Sequence, residues 1–421
     1  MPRLALDLTP LRRSRDLRLI MLGDFVTAIG TQAALVALPF QVYSLTHSAF
    51  LTGLLGAVEL LPLMAMALWG GALADRYDRR HLLLLVQAGL VAGATALAVV
   101  TLTGPPPVPV LFVLAGVMAG FGAFQNVIAS AIVPNLIPTD QLRGALALSF
   151  GLHNLTMVIG PAFGGILIGA LGIGAAYVVD AASCLAMIGA AFLLSSQLPK
   201  RAERAAHEVE PGVFASIAEG LRFVRANRAL TGSFFIDLCA MMFGMPRALF
   251  PVLAVSVFHA GASGTGAMFA AVSAGAAIAA LTAGWLPRVR RLGRIVIVAV
   301  IVWGAAIAAT GLAGSIYVAI VLLAIAGAAD SVSAVCRSSI NQMVTPDAMR
   351  GRMSSVFSLV VTSGPRLGDV ESGSVAALSG VRASVVSGGL ACIVCVGITM
   401  LAFPELASFD AERDAIAAVP A

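Results

Sequence analysis

Gly71-Ala72-Leu73-Ala74-Asp75-Arg76-Tyr77-Asp78-Arg79-Arg80 is a short cationic turn between two apolar runs, Leu51 to Trp69 before it and Leu82 to Val100 after it. A helix needs about 20 apolar residues to cross the ~30 Å hydrocarbon core of a bilayer. Lys and Arg collect in cytoplasmic loops. The stretch therefore reads as the inner turn of a helical hairpin across a membrane.

Composition extends that reading to the whole chain. Of 421 residues, 59% are hydrophobic and 11% charged, with a mean hydropathy of +0.96, whereas soluble proteins carry about 25% charged residues. The 43 glycines suit close helix–helix contact in lipid, where no hydrophobic drive brings helices together. Met1 to Arg18 is too polar and Arg-rich for a signal peptide, and the apolar run after it is long enough to stay as a span. The net charge of +5 reports cytoplasmic loops, and no nucleic-acid partner is implied.

Twelve spans follow, at about 17–43, 51–73, 82–103, 110–133, 144–170, 175–194, 229–258, 265–285, 295–313, 316–339, 353–378 and 383–403. With the N-terminus inside, all but four of the 26 Lys and Arg residues fall in cytoplasmic segments. The four are Arg247, Arg337, Arg366 and Arg382, and only Arg382 lies in an outer loop. The expected fold is an all-α polytopic membrane protein with both termini in the cytoplasm. Its parts are a six-helix bundle at 1–196, a cytoplasmic linker at 197–228, a second six-helix bundle at 229–404 and a tail at 405–421. In the linker, Val213, Ile217, Leu221 and Val224 recur at helical spacing, which predicts an amphipathic helix on the inner membrane surface.

The two bundles are repeats. Asp140-Gln-Leu-Arg143-Gly144 returns as Asp347-Ala-Met-Arg350-Gly351, and Gly160-Pro161-Ala-Phe-Gly164 returns as Gly364-Pro365-Arg-Leu-Gly368. Each pair stands before and then within the fifth helix of its half, so the halves have parallel topology, as in two-domain transporters. Pro161 and Pro365 each remove a backbone hydrogen bond. The paired glycines Gly160/Gly164 and Gly364/Gly368 let neighbouring backbones approach, as plain packing or as a deformable seam.

Ionisable groups at mid-bilayer are expensive and mark functional sites or their partners. At about 1.5 Å per residue from the cytoplasmic ends, Asp237 and Asp330 both lie roughly 12–14 Å deep. Facing carboxylates at one depth make a proton carrier; the alternative is separate satisfaction by hydroxyls or amides. Arg337 shares a helix face with Asp330. Glu59 and Arg366 lie at a common greater depth, and Arg366 has a competing partner in Asp369 at i+3. Arg247 lies too far along its helix for Asp237 and is matched with Glu371. Asp24, two turns into the first helix, is a further proton-coupling candidate, and Asp180 reads as structural. Gln32, Gln125 and Asn126 either line a substrate path or bond helix to helix.

Several chemistries are absent from the sequence. There is no Walker A run, no His-Glu-x-x-His among the five histidines, and no nucleophile–base cluster of an enzyme. Cys392-x-x-Cys395 has redox spacing but sits inside an apolar run, where small buried thiols are the simpler reading.

Gly71, Asp75, Arg76, Arg79 and Arg80 resemble the inner-loop motif of the major facilitator superfamily, with Asp78 where that motif has Gly. Local strings resemble the enterobactin-exporter-like, drug-efflux branch: Gly70-Gly71-Ala-Leu-Ala-Asp75, Ile159-Gly-Pro-Ala-Phe-Gly-Gly165, Pro246-Arg-Ala-Leu-Phe-Pro251 and Gly327-Ala-Ala-Asp330. The resemblance implies the major facilitator fold, with the second and eleventh helices facing each other and Asp75 near the start of the eleventh as a latch. The Arg that drug–proton antiporters carry on the fourth helix is missing, and Gly116 stands there. The expectation is a proton-coupled exporter of amphipathic drugs, siderophores or secondary metabolites in a bacterial cytoplasmic membrane. It would be a monomer with no cofactor, driven by the proton gradient. The alternatives are a nutrient importer of the same fold and a non-transporting sensor.

Overall fold

A computed structural model describes residues 14–132, 136, 142–195, 213–346 and 349–411. Among them are twelve long helical segments: α1 (Arg15–Thr46), α2 (Ala49–Arg76), α3 (Arg79–Leu102), α4 (Val108–Ile132), α5 (Leu142–Leu171), α6 (Ile173–Leu193), α7 (Arg228–Phe243, resuming to Val257), α8 (Gly261–Thr282), α9 (Leu292–Leu312), α10 (Ile316–Val344), α11 (Arg350–Ser379) and α12 (Val381–Ala402). Eleven are apolar and long enough to cross a membrane by themselves. The remaining one, α11, has 30 residues but carries Arg366, Asp369 and Glu371, and it is identified by its place in the repeat. The chain is a multi-span membrane protein.

The founding hairpin is tighter than expected. Helix α2 runs on to Arg76 and α3 begins at Arg79, leaving Tyr77 and Asp78 as the turn. Asp78 does not occupy a positive-φ position in place of glycine. Its φ is −61°, and its carboxylate accepts from the Arg80 N–H at 2.9 Å as the N-cap of α3. The turn's cations are held down by carbonyls: Arg79 donates to Ala74 O, and Arg80 to Ala191 O and Phe192 O at the end of α6.

Two compact units form. The first comprises α1, most of α2, α3 to α6 and the opening turns of α8, residues 260–270. Its core is Ile20, Leu83, Val86, Phe124, Ile128 and Met187. The second comprises α7, the rest of α8, α9 to α12, the linker helix (Val213–Ala226) and the opening turns of α2, residues 48–57. In the first unit α1 packs on α5 and α6, and α6 on α3; in the second α7 packs on α11 and α12, and α12 on α9. The same scheme appears twice, six helices apart.

Backbone geometry carries the repeat where the sequence hides it. Gly172 (φ 87°) and Gly380 (φ 89°) make the same turn into α6 and α12, a conformation that L side chains resist. His47 (φ 50°) and His259 (φ 51°) are both left-handed just beyond α1 and α7.

The repeated glycines are contact points. A Cβ on Gly160 or Gly164 would run into Gln32 or Ala33 of α1, and one on Gly364 or Gly368 into Met241 or Met242 of α7. Each unit also has a backbone crossing with a borrowed helix start. Gly165 of α5 lies against Ala262 and Gly266 of α8, and Gly373 of α11 against Ala49 and Gly53 of α2. Gly266→Leu is expected to lower thermal stability in detergent by about 1–3 kcal/mol through overpacking; an unchanged melting curve counts against a rigid crossing.

The linker helix does not lie free on a surface. Gly220 packs against Val356 and Arg352 at the start of α11, and Arg352 donates to the Glu219 carboxylate.

Candidate functional site

A polar cluster in the second unit is built around a break in α7. Asn227 caps the helix start by accepting from Leu230 N–H. The helix stops at Phe243, because Pro246 lacks an N–H and cannot continue the ladder. A short 3-10 turn, Arg247–Leu249, restarts the chain, which then passes through a π turn at Leu253–Val257. The groups orphaned by the break find partners on other helices. Trp303 of α9, 1% exposed, donates its indole N–H to Gly244 O at 2.8 Å. Asp369 of α11 accepts from Ala248 N–H at 3.0 Å.

About two turns before the break, Asp237 is 2% exposed. Arg337 of α10 reaches it at 2.8 Å, donates to Ser333 Oγ at 2.6 Å, and stands 3.7 Å from Asp330. The two carboxylates thus meet on one guanidinium. The nearer partner is not the acid on Arg337's own helix but the one on α7. The Asp237 contact is close yet poorly aligned, since its Oδ1 and Asp330 Oδ1 have no aligned hydrogen bond among the described residues. Asp330 opens onto a cavity that it shares with Arg247, Pro246, Phe250 and Trp303. The anions acting electrostatically on Arg247 are Asp369 and Asp330 rather than Glu371, which corrects the pairing expected from sequence depth. Arg366 lies 4.0 Å from Asp369, the i, i+3 pairing.

The first unit holds the other candidates. Asp24 faces the Gln125 amide on α4 and His153 on α5. Gln32 is buried and directs its amide at the Met157 sulfur, a helix–helix contact rather than a free polar wall. Asn126 is exposed and Glu59 half-buried. Asp180 is 1% exposed and accepts from Thr31 Oγ1, a structural bond. At the α2–α3 turn Gly71 has open space around it and Arg76 is exposed. The Asp75 side chain lies outside what the structure describes, as do Asp140, Arg143 and Asp347. Cys392 is fully buried, and the described residues contain no group of His, Cys, Asp and Glu able to hold a metal.

Sequence reading missed Trp303, Ser333, His153 and the capping role of Asp369. The one signal available was Gly244-Met245-Pro246, a helix-breaking string inside an apolar run.

Comparison with known proteins places this architecture. A family model described as a transmembrane secretion effector matches residues 5–420. The chain is 27% identical over 405 residues to the enterobactin exporter EntS of Citrobacter koseri, covering 96% of this chain and 95% of that protein. It is 28% identical to EntS of Shigella boydii serotype 4 over the same spans. Among solved structures it resembles the nucleoside transporter NupG, with a TM-score of 0.73, 12% identity, and coverage of 92% of this chain and 99% of that one. It also resembles a bacterial homologue of the human lysosomal transporter Spinster, with a TM-score of 0.69, 15% identity, and coverage of 96% and 98%. At such identities these structures speak for the fold, which is that of the major facilitators.

Proposed function

The chain belongs to the transmembrane secretion effector family of the major facilitators, and from that premise we propose that it is a proton-coupled exporter of amphipathic small molecules, siderophore-like compounds foremost. It would work by alternating access in a bacterial cytoplasmic membrane, as a monomer with both termini inside and the proton gradient as its only energy source. The observation that carries the coupling is Arg337 between Asp237 and Asp330.

Asp237 and Asp330 compete for one buried guanidinium, and Asp330 has Arg247 as a second cation across its cavity. A proton on Asp330 leaves Arg337 to Asp237 alone. Asp237, buried at 2.8 Å, is the fixed counter-ion; Asp330, at 3.7 Å and bordering the cavity, is the group that gains and loses the proton. Each exchange changes how firmly Arg337 ties α10 to α7. The break in α7 lies about two turns further on and gives that helix a place to bend. Arg247 borders the same cavity as Asp330.

Export is favoured over import by the EntS likeness. The test is accumulation of a fluorescent dye or siderophore in energised inverted vesicles. Asp330→Asn is expected to abolish gradient-driven accumulation while keeping substrate counterflow. Accumulation that survives collapse of the gradient refutes coupling; intact transport in both Asp237→Asn and Asp330→Asn refutes the sites.

A further inference from the structure

We propose that Cys239 of α7 and Cys395 of α12 form a redox-sensitive tie, open as two thiols and closed as an interhelical disulfide by a lipid-soluble hydroperoxide. The spacing Cys392-x-x-Cys395 points to a different pair, and the fold rules that pair out. On an intact helix, residues three apart hold their Cβ atoms about 5–6 Å from each other. A disulfide needs about 3.5–4.5 Å. Both cysteines lie inside α12, which runs unbroken from Val381 to Ala402. Cys392 is fully buried, and its thiol is turned to the Val300 carbonyl of α9 at 4.0 Å.

The partner of Cys395 comes from another helix. Within the second unit α7 packs on α12, and two contacts fix their register. The Phe235 and Phe403 rings stand 6.1 Å apart. Further along, a Cβ on Gly388 would strike the Phe243 carbonyl. One residue number rises as the other falls, so the helices run antiparallel. Cys239 is midway between Phe235 and Phe243, on the face that i, i+4 and i+8 positions share. Cys395 stands in the middle of the stretch from Gly388 to Phe403. The register therefore sets the two thiols opposite each other, and Cys395 is the hydrogen-bonding neighbour of Cys239.

Exposure orders the chemistry. Cys239 is 8% exposed and Cys395 half-buried. Leu390, Val394, Ile398 and Leu401 form the exposed apolar stripe of α12, and Cys395 borders it. In a spanning helix that stripe faces acyl chains, so the oxidant with access is one that dissolves in lipid. The Cys395 sulfur attacks the O–O bond of the hydroperoxide, giving a sulfenic acid and an alcohol. The Cys239 sulfur then displaces the sulfenic oxygen, which leaves as water. The two thiols give up two electrons and two protons, and the broken O–O bond takes them. Cys239 lies between Asp237 and the point where α7 stops, so the bond ties the acid-bearing half of α7 to α12. Oxidation thereby holds α7 against bending.

The effect on flux rests on the transport reading, whereas the link itself does not. Full-length protein in nanodiscs is treated with cumene hydroperoxide, its free thiols are capped with N-ethylmaleimide, and unreduced peptides are mapped by mass spectrometry. A Cys239–Cys395 link is expected, removable by dithiothreitol. In energised inverted vesicles the oxidised wild type should lose most of its dye accumulation and regain it with dithiothreitol. Cys239→Ala and Cys395→Ala should accumulate dye before and after treatment, and Cys392→Ala should respond as the wild type does. Cys395→Ala, at the lipid border, carries the test alone where Cys239→Ala does not fold. A link through Cys392, or Cys395 oxidised without a link, overturns the pairing. A link that leaves accumulation unchanged overturns the switch, as does a loss that persists in Cys395→Ala. Asp330→Asn that loses export should still form the link, so failure here is distinct from failure of proton coupling.

Discussion

Arg337→Gln is expected to abolish gradient-driven transport and to cost the protein a large share of its stability. Its guanidinium, 4% exposed, is the shared partner of Asp237 and Asp330. Removing one member of a buried ion pair costs about 3–5 kcal/mol, because the remaining charge keeps its desolvation penalty and loses its compensation. Here Asp237 would be stranded and Asp330 left with Arg247 as its remaining cation. They can escape by taking up protons, which fixes the triad in its protonated state and removes the exchange on which coupling depends. The double variant Arg337→Gln/Asp237→Asn separates the two consequences. It strands one acid fewer, so thermal unfolding in detergent should move back toward wild type while transport stays absent. Wild-type flux in Arg337→Gln would show that the triad is structural only.

Trp303→Ala is expected to have an effect of similar size through packing. The indole is among the largest fully buried side chains, and it donates to the carbonyl freed where α7 stops. A Trp-to-Ala cavity costs about 3–5 kcal/mol, and the Gly244 carbonyl left unpaired adds about 1–3 kcal/mol. Trp303→Phe keeps most of the volume and loses only the donor, so it should show the smaller figure alone. Both are read from thermal unfolding of the purified protein, with transport measured in parallel. If Trp303→Phe matches wild type in stability and flux, the indole hydrogen bond does not hold the break.

How far the site was legible depends on how each residue is placed. Asp237 and Asp330 were legible as a pair because helix rise converts sequence position into depth with little error. Their common partner was not. Depth says nothing about helix rotation, and the rotation of α10 is fixed by contacts such as Gly327 against Val272 and Gly275 against Ala324. Depth likewise led to Arg247 with Glu371, whereas the anions whose charge acts on that guanidinium are Asp369 and Asp330. The α7 break shows the same division. Pro246 announces a missing donor, but a run as apolar as 229–258 reads as continuous. Only the arrival of Trp303 and Asp369 from two other helices makes an interruption affordable inside a bilayer.

By itself the sequence determined the membrane class, the hairpin at Gly71–Arg80 and the duplication of six helices. These follow from local physics: apolar length against bilayer thickness, the polar break between two apolar runs, and motif spacing. The tertiary structure decided which polar groups meet. It placed Asp237 rather than Asp330 nearest Arg337, brought His153 to Asp24, and revealed the repeat in the backbone at His47 and His259 and at Gly172 and Gly380. The reason is that a side chain's partner in lipid is set by the rotation and crossing of neighbouring helices, which small-residue contacts fix and which no single helix encodes.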